Sequence, residues 1–147
     1  MKIAIGSDHG GFNLKEQLKE YLLSLNHEVI DVGTNSNESC AYSEFALKCA
    51  SKVANHTAEI GIVICTTGEG IMIAANKVKG VRCGLVYNKD VAKLIREHND
   101  CNMMSLGAKY VSFEEACEYI NIFISTPFSG GRHISRVEII SNYEKNN

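Results

Sequence analysis

The most reactive segment of the sequence follows an apolar run near its centre. Residues 60–64 are apolar except for one glycine, and the segment Cys65-Thr-Thr-Gly-Glu-Gly70 follows them before apolar residues resume at 71–75. This order predicts a buried strand, a tight loop and then a helix. Glycines let a backbone approach an anion, and the N–H groups of a helix N-terminus stabilise negative charge, including that of a thiolate. The segment therefore predicts an oxyanion-binding loop with Cys65 as a base or nucleophile.

A carboxylate and an imidazole follow the first predicted strand, at Asp8 and His9. In open parallel sheets, ligands bind beyond the carboxyl ends of the strands, and strands one and three are neighbours in most doubly wound sheets. We therefore expect Asp8 and His9 near Cys65, where they could transfer protons or bind hydroxyl groups. A turn in which Asp8 caps the next helix explains the same residues equally well.

Two arginines and a histidine open the last predicted helix, at Arg132, His133 and Arg136 after a Gly-Gly pair. Like charges four residues apart repel, and cations are disfavoured near the positive end of a helix dipole. A bound anion would compensate both penalties, and a phosphate fits because arginine binds it bidentately. The segment predicts a phosphate site. The alternative is a solvated basic turn paired with carboxylates such as Glu138.

His98 and Asn99 lie where the fourth predicted helix ends. The helix dipole raises the basicity of an imidazole in the last turn, so His98 could act as an acid or base. Asn99 could bind hydroxyl groups of a ligand. Taken alone, this segment is more typical of a helix C-cap.

Size and composition restrict the classes of function. The 147 residues fit one domain, and a net charge of −2 gives no reason to expect nucleic acid or an anionic membrane as partner. No apolar run approaches the ~20 residues of a membrane span, and the N-terminus is not that of a signal peptide, so a cytoplasmic location is expected. Six cysteines without CxxC spacing indicate reduced thiols, and no metal site is expected. All except Cys65 are interpreted as packing residues, at positions 40, 49, 83, 101 and 117.

Strand and helix patterns alternate along the chain. Predicted strands cover residues 2–7, 28–32, 60–65, 82–86 and 103–106. Predicted helices cover residues 12–25, 42–55, 71–77, 89–98, 113–124 and 131–144. This alternation predicts an α/β fold, a Rossmann-like three-layer α/β/α sandwich with a mostly parallel sheet of about five strands, in one domain over residues 1–147. The last helix has no strand to return to, so it is free to pack on a neighbour, including a second subunit.

Taken together and in order, these motifs resemble those of the B-type ribose-5-phosphate isomerases, a sugar-phosphate isomerase family that includes galactose-6-phosphate isomerase subunits. The matching segments are Ser7–Gly11, Cys65–Gly70, Ile73–Lys77, His98–Asn102 and Gly130–Arg136. The resemblance implies interconversion of ribose 5-phosphate and ribulose 5-phosphate through an enediolate, with neither a metal nor an organic cofactor. It also implies a homodimer with active sites at its interface, and a tetramer stays open.

The resemblance further implies roles for single residues. Cys65 matches the base that moves a proton between C1 and C2, and His98 matches the residue that opens the furanose ring and comes from the other subunit. Asp8 matches a residue that assists at the ring oxygen or hydroxyl groups. Thr67 and the glycines beside it match the loop that binds the enediolate oxygen, so Thr67 is grouped with the catalytic residues. The implied substrate-binding set is Asp8, His9, Thr66, Thr67, Gly68, Glu69, Gly70, Asn99, Lys109, Arg132, His133 and Arg136.

Three positions depart from the family pattern. Thr66 stands where a glycine usually follows the cysteine, which restricts the backbone of the loop. Glu69 brings a carboxylate close to an anion site, so it must point outward or pair with a cation. Lys109 stands where the family has a phosphate-contacting arginine, and it keeps the charge but loses the bidentate geometry.

Two other functions stay open. The first is isomerisation of a six-carbon sugar phosphate, such as allose or galactose 6-phosphate, by the same thiol chemistry. The second is a non-catalytic, flavodoxin-like module that binds a phosphorylated metabolite. That module would need Arg132 and Arg136 but would have no use for Cys65 or His98.

Overall fold

A parallel sheet of five strands organises the chain. The computed structural model describes residues 1–147, and every strand pair in it is parallel. The strands are β1 (Lys2–Ser7), β2 (Glu28–Asp31), β3 (Ile60–Cys65), β4 (Cys83–Leu85) and β5 (Met103–Gly107). Their spatial order is β2-β1-β3-β5-β4. The prediction of a mostly parallel sheet of about five strands is confirmed, and no antiparallel strand is present.

Six helices and one short turn connect and cover the strands. The helices are α1 (Phe12–Ser24), α2 (Tyr42–Ala54), α3 (Glu69–Ala75), α4 (Lys89–Glu97), α5 (Phe113–Ser125) and α6 (His133–Asn146). A single 3-10 turn spans His9–Gly11. Helices α1, α4 and α5 pack into one apolar core and α2 and α3 into the other, one on each face of the sheet. The three-layer α/β/α prediction is therefore confirmed. None of the helices combines the length and apolar composition that crossing a bilayer requires.

Strand β3 shows why the sheet sits at the centre. Every one of its residues is buried. Ile62 and Ile64 belong to the core beneath α1 and α5, whereas Val63 and Cys65 belong to the core beneath α2 and α3. A strand covered on both faces needs apolar residues at successive positions rather than at alternate ones. This is the continuous apolar pattern that predicted the strand.

The edge strand β4 is shorter than the predicted 82–86. The amide side chain of Asn76 accepts a hydrogen bond from the Cys83 N–H at 2.8 Å and donates one to the Cys83 carbonyl at 2.9 Å. The Asn102 side chain accepts another from the Arg82 N–H at 2.9 Å. Side chains thus satisfy the backbone groups at the start of β4 that a neighbouring strand would otherwise pair.

The crossovers separate the loops into two groups. In a parallel sheet linked by helices, loops that follow strands lie at the carboxyl edge, and loops that precede strands lie at the amino edge. Residues 98–102, which run from the end of α4 to β5, therefore lie at the amino edge. The Arg82 guanidinium, immediately before β4, donates to the carbonyl oxygens of Asn99 at 3.0 Å and Asp100 at 2.8 Å. The start of α6 reaches the same edge, because the Ser129 N–H donates to the Glu97 carbonyl at 3.1 Å.

Helix α6 runs from His133 to Asn146, close to the predicted 131–144. Its end is attached to the body of the protein by a hydrogen bond from the Gly80 N–H to the Glu144 carboxylate at 3.0 Å. Ile139 and Tyr143 leave about 70% of their surface exposed. An apolar helix side of this kind is typical of an interface. That α6 packs on a second subunit stays a prediction.

A buried lysine was not anticipated from the sequence. The Lys15 side chain on α1 is fully buried, and its ammonium lies 2.7 Å from a carboxylate oxygen of Asp31 and 2.7 Å from one of Glu16. Lys19 adds a second ion pair to Asp31 at 2.9 Å. Burial acts to raise the pKa of Asp31, but hydrogen bonds from Lys15, Lys19 and the Gly33 N–H outweigh it and hold that pKa below its usual value. The hydrogen bonds from both lysines also lower the pKa of Glu16.

We expect Lys15→Met to lower the free energy of unfolding at pH 7 by about 3 kcal/mol, since Asp31 would lose the buried member of its charge pairs. A carboxyl group whose pKa is lowered by folding stabilises the protein above its unfolded pKa, about 4, and this contribution disappears as the pH falls through the folded value. The stability curves of wild type and variant should therefore converge in acid. Urea unfolding from pH 7 to pH 3 measures this, with exposed Lys93→Met as control. Parallel curves would contradict the electrostatic origin.

Candidate active site

The carboxyl edge brings three predicted segments side by side. Ser7 of β1 pairs with Ile64 of β3, and Cys65 pairs with Gly107 of β5. The loops that follow these strands are joined by a hydrogen bond from the Lys109 N–H to the Thr66 carbonyl at 3.1 Å. The site residues 8–9, 65–70 and 109 thus form one group, as their positions after strands predicted.

Cys65 lies at the base of this group. Its side chain is almost fully buried, and the backbone N–H of Gly68 donates a hydrogen bond to its sulfur at 3.1 Å. The donor lies at the first turn of α3, where the dipole of the helix adds to the local positive potential. An amide donor therefore faces the atom on which a base would carry negative charge.

The other cysteines are in different surroundings. Burial in the apolar core raises the pKa of Cys49 to about 12 and that of Cys101 to about 11. Burial also raises the pKa of Cys83 and Cys117. Thiols of this kind stay protonated at neutral pH, in agreement with their interpretation as packing residues. Cys40 differs from that interpretation, because it is half-exposed on the loop before α2 and contacts His9.

The loop after Cys65 depends on a glycine and on a buried serine. Gly68 has a φ of +80°, and a Cβ atom there would lie 2.6 Å from the Leu85 side chain and 2.9 Å from the Leu106 backbone. The Ser105 hydroxyl on β5 donates to the Gly68 carbonyl at 2.6 Å. Ser105 was missed in the sequence analysis. Its signal was a hydroxyl in the middle of an otherwise apolar, buried strand.

Asp8 and His9 are held by backbone groups. One carboxylate oxygen of Asp8 accepts hydrogen bonds from the N–H groups of Gly10 at 3.0 Å and Gly11 at 3.3 Å. The cap suggested as an alternative is therefore present, and the second oxygen stays available for a ligand. The Cys40 N–H donates to Nδ1 of His9 at 3.2 Å. Because Nδ1 accepts this bond, the proton of the neutral ring belongs on Nε2.

The remaining residues of the loop after Cys65 differ in exposure and in packing. Thr66, Thr67 and Glu69 are exposed, and the Glu69 N–H donates to the Thr67 hydroxyl at 3.2 Å. The Tyr42 ring covers Gly70 so closely that a Cβ atom there would lie 2.7 Å from it.

Two charged residues at this edge have different surroundings. Glu69 forms no ion pair and lines a cleft of about 320 Å³ between the ends of β4 and β5, together with Tyr87 and Tyr110. The Lys109 side chain is also exposed, and its ammonium lies 5.9 Å from the centre of the Tyr110 ring.

A second group of predicted residues lies at the amino edge. His98 and Asn99 follow α4 and meet His133 and Arg136 of α6 around a pocket of about 210 Å³. The rings of His98 and His133 are stacked, with centroids 4.2 Å apart and planes inclined by 18°. Arg132 directly precedes α6 and is exposed, as is Arg136. The structure thus brings the predicted phosphate-binding arginines and the predicted ring-opening histidine together.

The two groups are far apart within one chain. Cys65 lies at the carboxyl end of β3, whereas His98 precedes the amino end of β5. Strands of this length separate the two edges by roughly 15 Å or more, at about 3.3 Å per residue. One copy of the chain therefore cannot bring Cys65 and His98 onto the same small molecule.

No three His, Cys, Asp or Glu side chains anywhere in the chain lie close enough together to hold a metal ion.

Comparison with known proteins identifies the family of the chain. The sequence model of the Ribose/Galactose Isomerase family matches residues 3–140. Ribose-5-phosphate isomerase B of Escherichia coli is 41% identical over 144 residues, covering 98% of this chain and 97% of the relative.

Solved structures agree over the whole length. The structure of Clostridium thermocellum ribose-5-phosphate isomerase B superimposes with a TM-score of 0.97 and 46% identity, covering 99% of each chain. That of Mycoplasma genitalium ribose-5-phosphate isomerase B with bound ribulose-5-phosphate gives a TM-score of 0.95 and 38% identity, covering 99% of this chain and 97% of that one. The protein belongs to the ribose/galactose isomerase family, as its motifs indicated.

Proposed function

We propose that this protein interconverts ribose 5-phosphate and ribulose 5-phosphate at sites shared by two copies of the chain. The observation that carries the proposal is the Cys65 sulfur, buried at the carboxyl edge and accepting a hydrogen bond from the Gly68 N–H. The names of the Escherichia coli and Mycoplasma genitalium relatives support the choice of substrate, as does the ribulose-5-phosphate bound to the latter. The chemistry needs neither a metal nor an organic cofactor, since one base and several amide donors suffice.

Ring opening comes first, because ribose 5-phosphate exists mainly as a furanose. The bond from C1 to the ring oxygen breaks and C1=O1 forms. His98 of the second subunit gives a proton to the ring oxygen, and the carboxylate oxygen of Asp8 without a backbone donor takes the proton from the O1 hydroxyl. The open aldehyde is the form on which proton transfer between carbons takes place.

Isomerisation follows at Cys65. Its thiolate removes the proton from C2, and the electrons move onto O1 to form an enediolate. Amide donors in the loop after Cys65 and the Thr67 hydroxyl stabilise this charge, a kind of interaction that contributes several kcal/mol in other enzymes. The same sulfur then returns the proton to C1, while a proton moves from O2 to O1. One base suffices because C1 and C2 are adjacent.

Binding of the phosphate gives the second subunit a further role. Arg132 and Arg136 repel each other until an anion lies between them, and a dianionic phosphate removes that penalty. His9, with its Nε2–H donor, and Lys109 would approach the phosphate from the carboxyl edge. A two-fold dimer places each edge of one copy against the opposite edge of the other and so creates two identical sites. Binding energy from the phosphate then positions the reacting carbons.

A cytoplasmic location is also part of the proposal. All six cysteines are free thiols. Proteins with this number of free cysteines are typical of a reducing compartment.

The decisive experiment compares substrates of different length. We expect kcat/KM for ribose 5-phosphate to exceed that for allose 6-phosphate by at least about tenfold, because a pocket fitted to a five-carbon chain must rearrange for a sixth carbon. Exchange of the C1 proton of ribulose 5-phosphate with D₂O, followed by NMR, should accompany turnover. The opposite preference would assign the protein to hexose phosphates. Binding of both sugars without proton exchange would identify a non-catalytic module.

A further inference from the structure

The stacked rings of His98 and His133 join two elements that are distant in sequence. His98 is the C-cap of α4, and His133 is the first residue of α6. Their centroids lie 4.2 Å apart with nearly parallel planes, and neither ring forms a hydrogen bond to another protein group. His133 is 8% exposed, whereas His98 is more open to the pocket that both rings line. The buried His133 ring therefore provides the surface on which the more exposed His98 ring stacks.

Burial and nearby cations together disfavour the charged form of the His133 ring. Burial lowers the pKa of His133, and the charges of His98, Arg132 and Arg136 lower it further, against a smaller opposite effect of Glu97. These are the titratable and charged groups that α4 and α6 place against this ring. His133 is consequently neutral at neutral pH. The face of a neutral aromatic ring attracts a cation above it, and a second cation there would repel it.

We propose that His133 is the positioning residue of the ring-opening step, holding the plane of the His98 ring and stabilising the protonated His98 that donates to the ring oxygen of the sugar. This inference rests on the proposed function, since it needs His98 to act as that acid. In the step itself, the bond from C1 to the ring oxygen breaks, the proton passes from His98 to that oxygen, and the O1 proton passes to Asp8. His133 exchanges no proton and keeps its ring neutral throughout.

A role in phosphate binding alone makes a different prediction for the same residue. Loss of a phosphate contact would raise KM and impair ribose 5-phosphate and ribulose 5-phosphate alike. Loss of a positioning residue for ring opening would lower kcat for ribose 5-phosphate only. Ribulose 5-phosphate cannot form a furanose because its 5-hydroxyl carries the phosphate, so exchange of its C1 proton does not require ring opening. The two substrates therefore separate the two roles.

The test uses a pair of variants that differ in the aromatic face. His133→Leu removes it, and His133→Phe keeps it without a titratable group. For His133→Leu we expect kcat for ribose 5-phosphate to fall roughly tenfold further than C1 exchange of ribulose 5-phosphate falls. His133→Phe should restore kcat for ribose 5-phosphate to within about threefold of the wild-type value.

The outcomes distinguish this inference from the function on which it rests. Wild-type kcat in His133→Leu, equal impairment of the Phe and Leu variants, or equal loss of exchange and turnover would each overturn it. His98→Asn serves as reference and should lose ribose 5-phosphate turnover while keeping exchange. Full turnover in His98→Asn would instead refute the ring-opening role of His98 in the proposed function. Should His133→Leu fail to fold, His133→Gln, which offers a planar group without an aromatic face, carries the same expectations.

Discussion

Replacing Cys65 by serine is expected to abolish both reactions of the proposed enzyme, turnover of ribose 5-phosphate and C1 exchange of ribulose 5-phosphate, by at least about 10³-fold. A serine hydroxyl is far less acidic than a thiol, so it cannot supply an anionic base at neutral pH. The hydroxyl can still accept the hydrogen bond from the Gly68 N–H, which lies 3.1 Å from the sulfur in the wild type. The fold and the affinity for sugar phosphate should therefore persist, and a thermal melt and a binding titration check this.

Cys117→Ser provides the matched control for this change. Cys117 is a half-exposed thiol on α5, it packs against the apolar core on the opposite face of the sheet from that of Cys65, and burial raises its pKa. We expect it to retain wild-type turnover. A Cys65→Ser enzyme with a substantial fraction of wild-type exchange would show that another group removes the proton from C2.

Mixing two inactive variants is expected to restore activity. In a dimer of one Cys65→Ser subunit and one His98→Asn subunit, one of the two sites receives an intact cysteine from one chain and an intact histidine from the other. Random pairing makes half of the dimers mixed and gives each one good site, so the mixture should reach about a quarter of wild-type activity. The physical reason is that Cys65 and His98 of one chain lie at opposite edges of its sheet, so a shared site needs one residue from each of two chains.

The control for this experiment is a chain that carries both substitutions. Mixed one to one with the wild type, the double variant leaves no good site in a mixed dimer. The activity should therefore fall to about a quarter of that of the same total amount of wild type, rather than to the half that dilution alone gives. Refolding the chains together from urea ensures that they exchange partners. Failure of the two single variants to complement, despite mixed dimers detected by mass spectrometry, would place Cys65 and His98 of the same chain in one site.

Local sequence patterns were sufficient to predict the strands and helices and to group the residues at the carboxyl edge of the sheet. The apolar run 60–65 predicted β3 with its observed limits, because a strand covered on both faces is apolar at successive positions. The glycines after Cys65 predicted the loop, because only glycine adopts the φ of +80° that Gly68 has without strain. Asp8 and His9 could be assigned to the same edge because they also follow a strand.

Other features depend on contacts between residues that are distant in sequence. The stack of His98 on His133 joins the ends of two helices 35 positions apart, and no periodicity in either helix indicates it. The bond from the Cys40 N–H to His9 depends on the path of a loop with no regular pattern. Lys15 is fully buried on α1, where most buried residues are apolar. Its charge is balanced there by the Asp31 carboxylate of β2, 2.7 Å from its ammonium. Ion pairs of this kind can be found only once the packing of helix on sheet is known.

The placement of the reactive groups at opposite ends of one polypeptide has a consequence beyond catalysis. In a newly made or dissociated monomer, the Cys65 sulfur and the His98 ring lie at opposite edges of the sheet, and neither has the other beside it. Under the proposed mechanism, it would not turn over ribose 5-phosphate until it pairs with a second copy. In the proposed dimer, association of two chains would therefore control turnover, and we expect specific activity for ribose 5-phosphate to decline on dilution below the dissociation constant of the dimer.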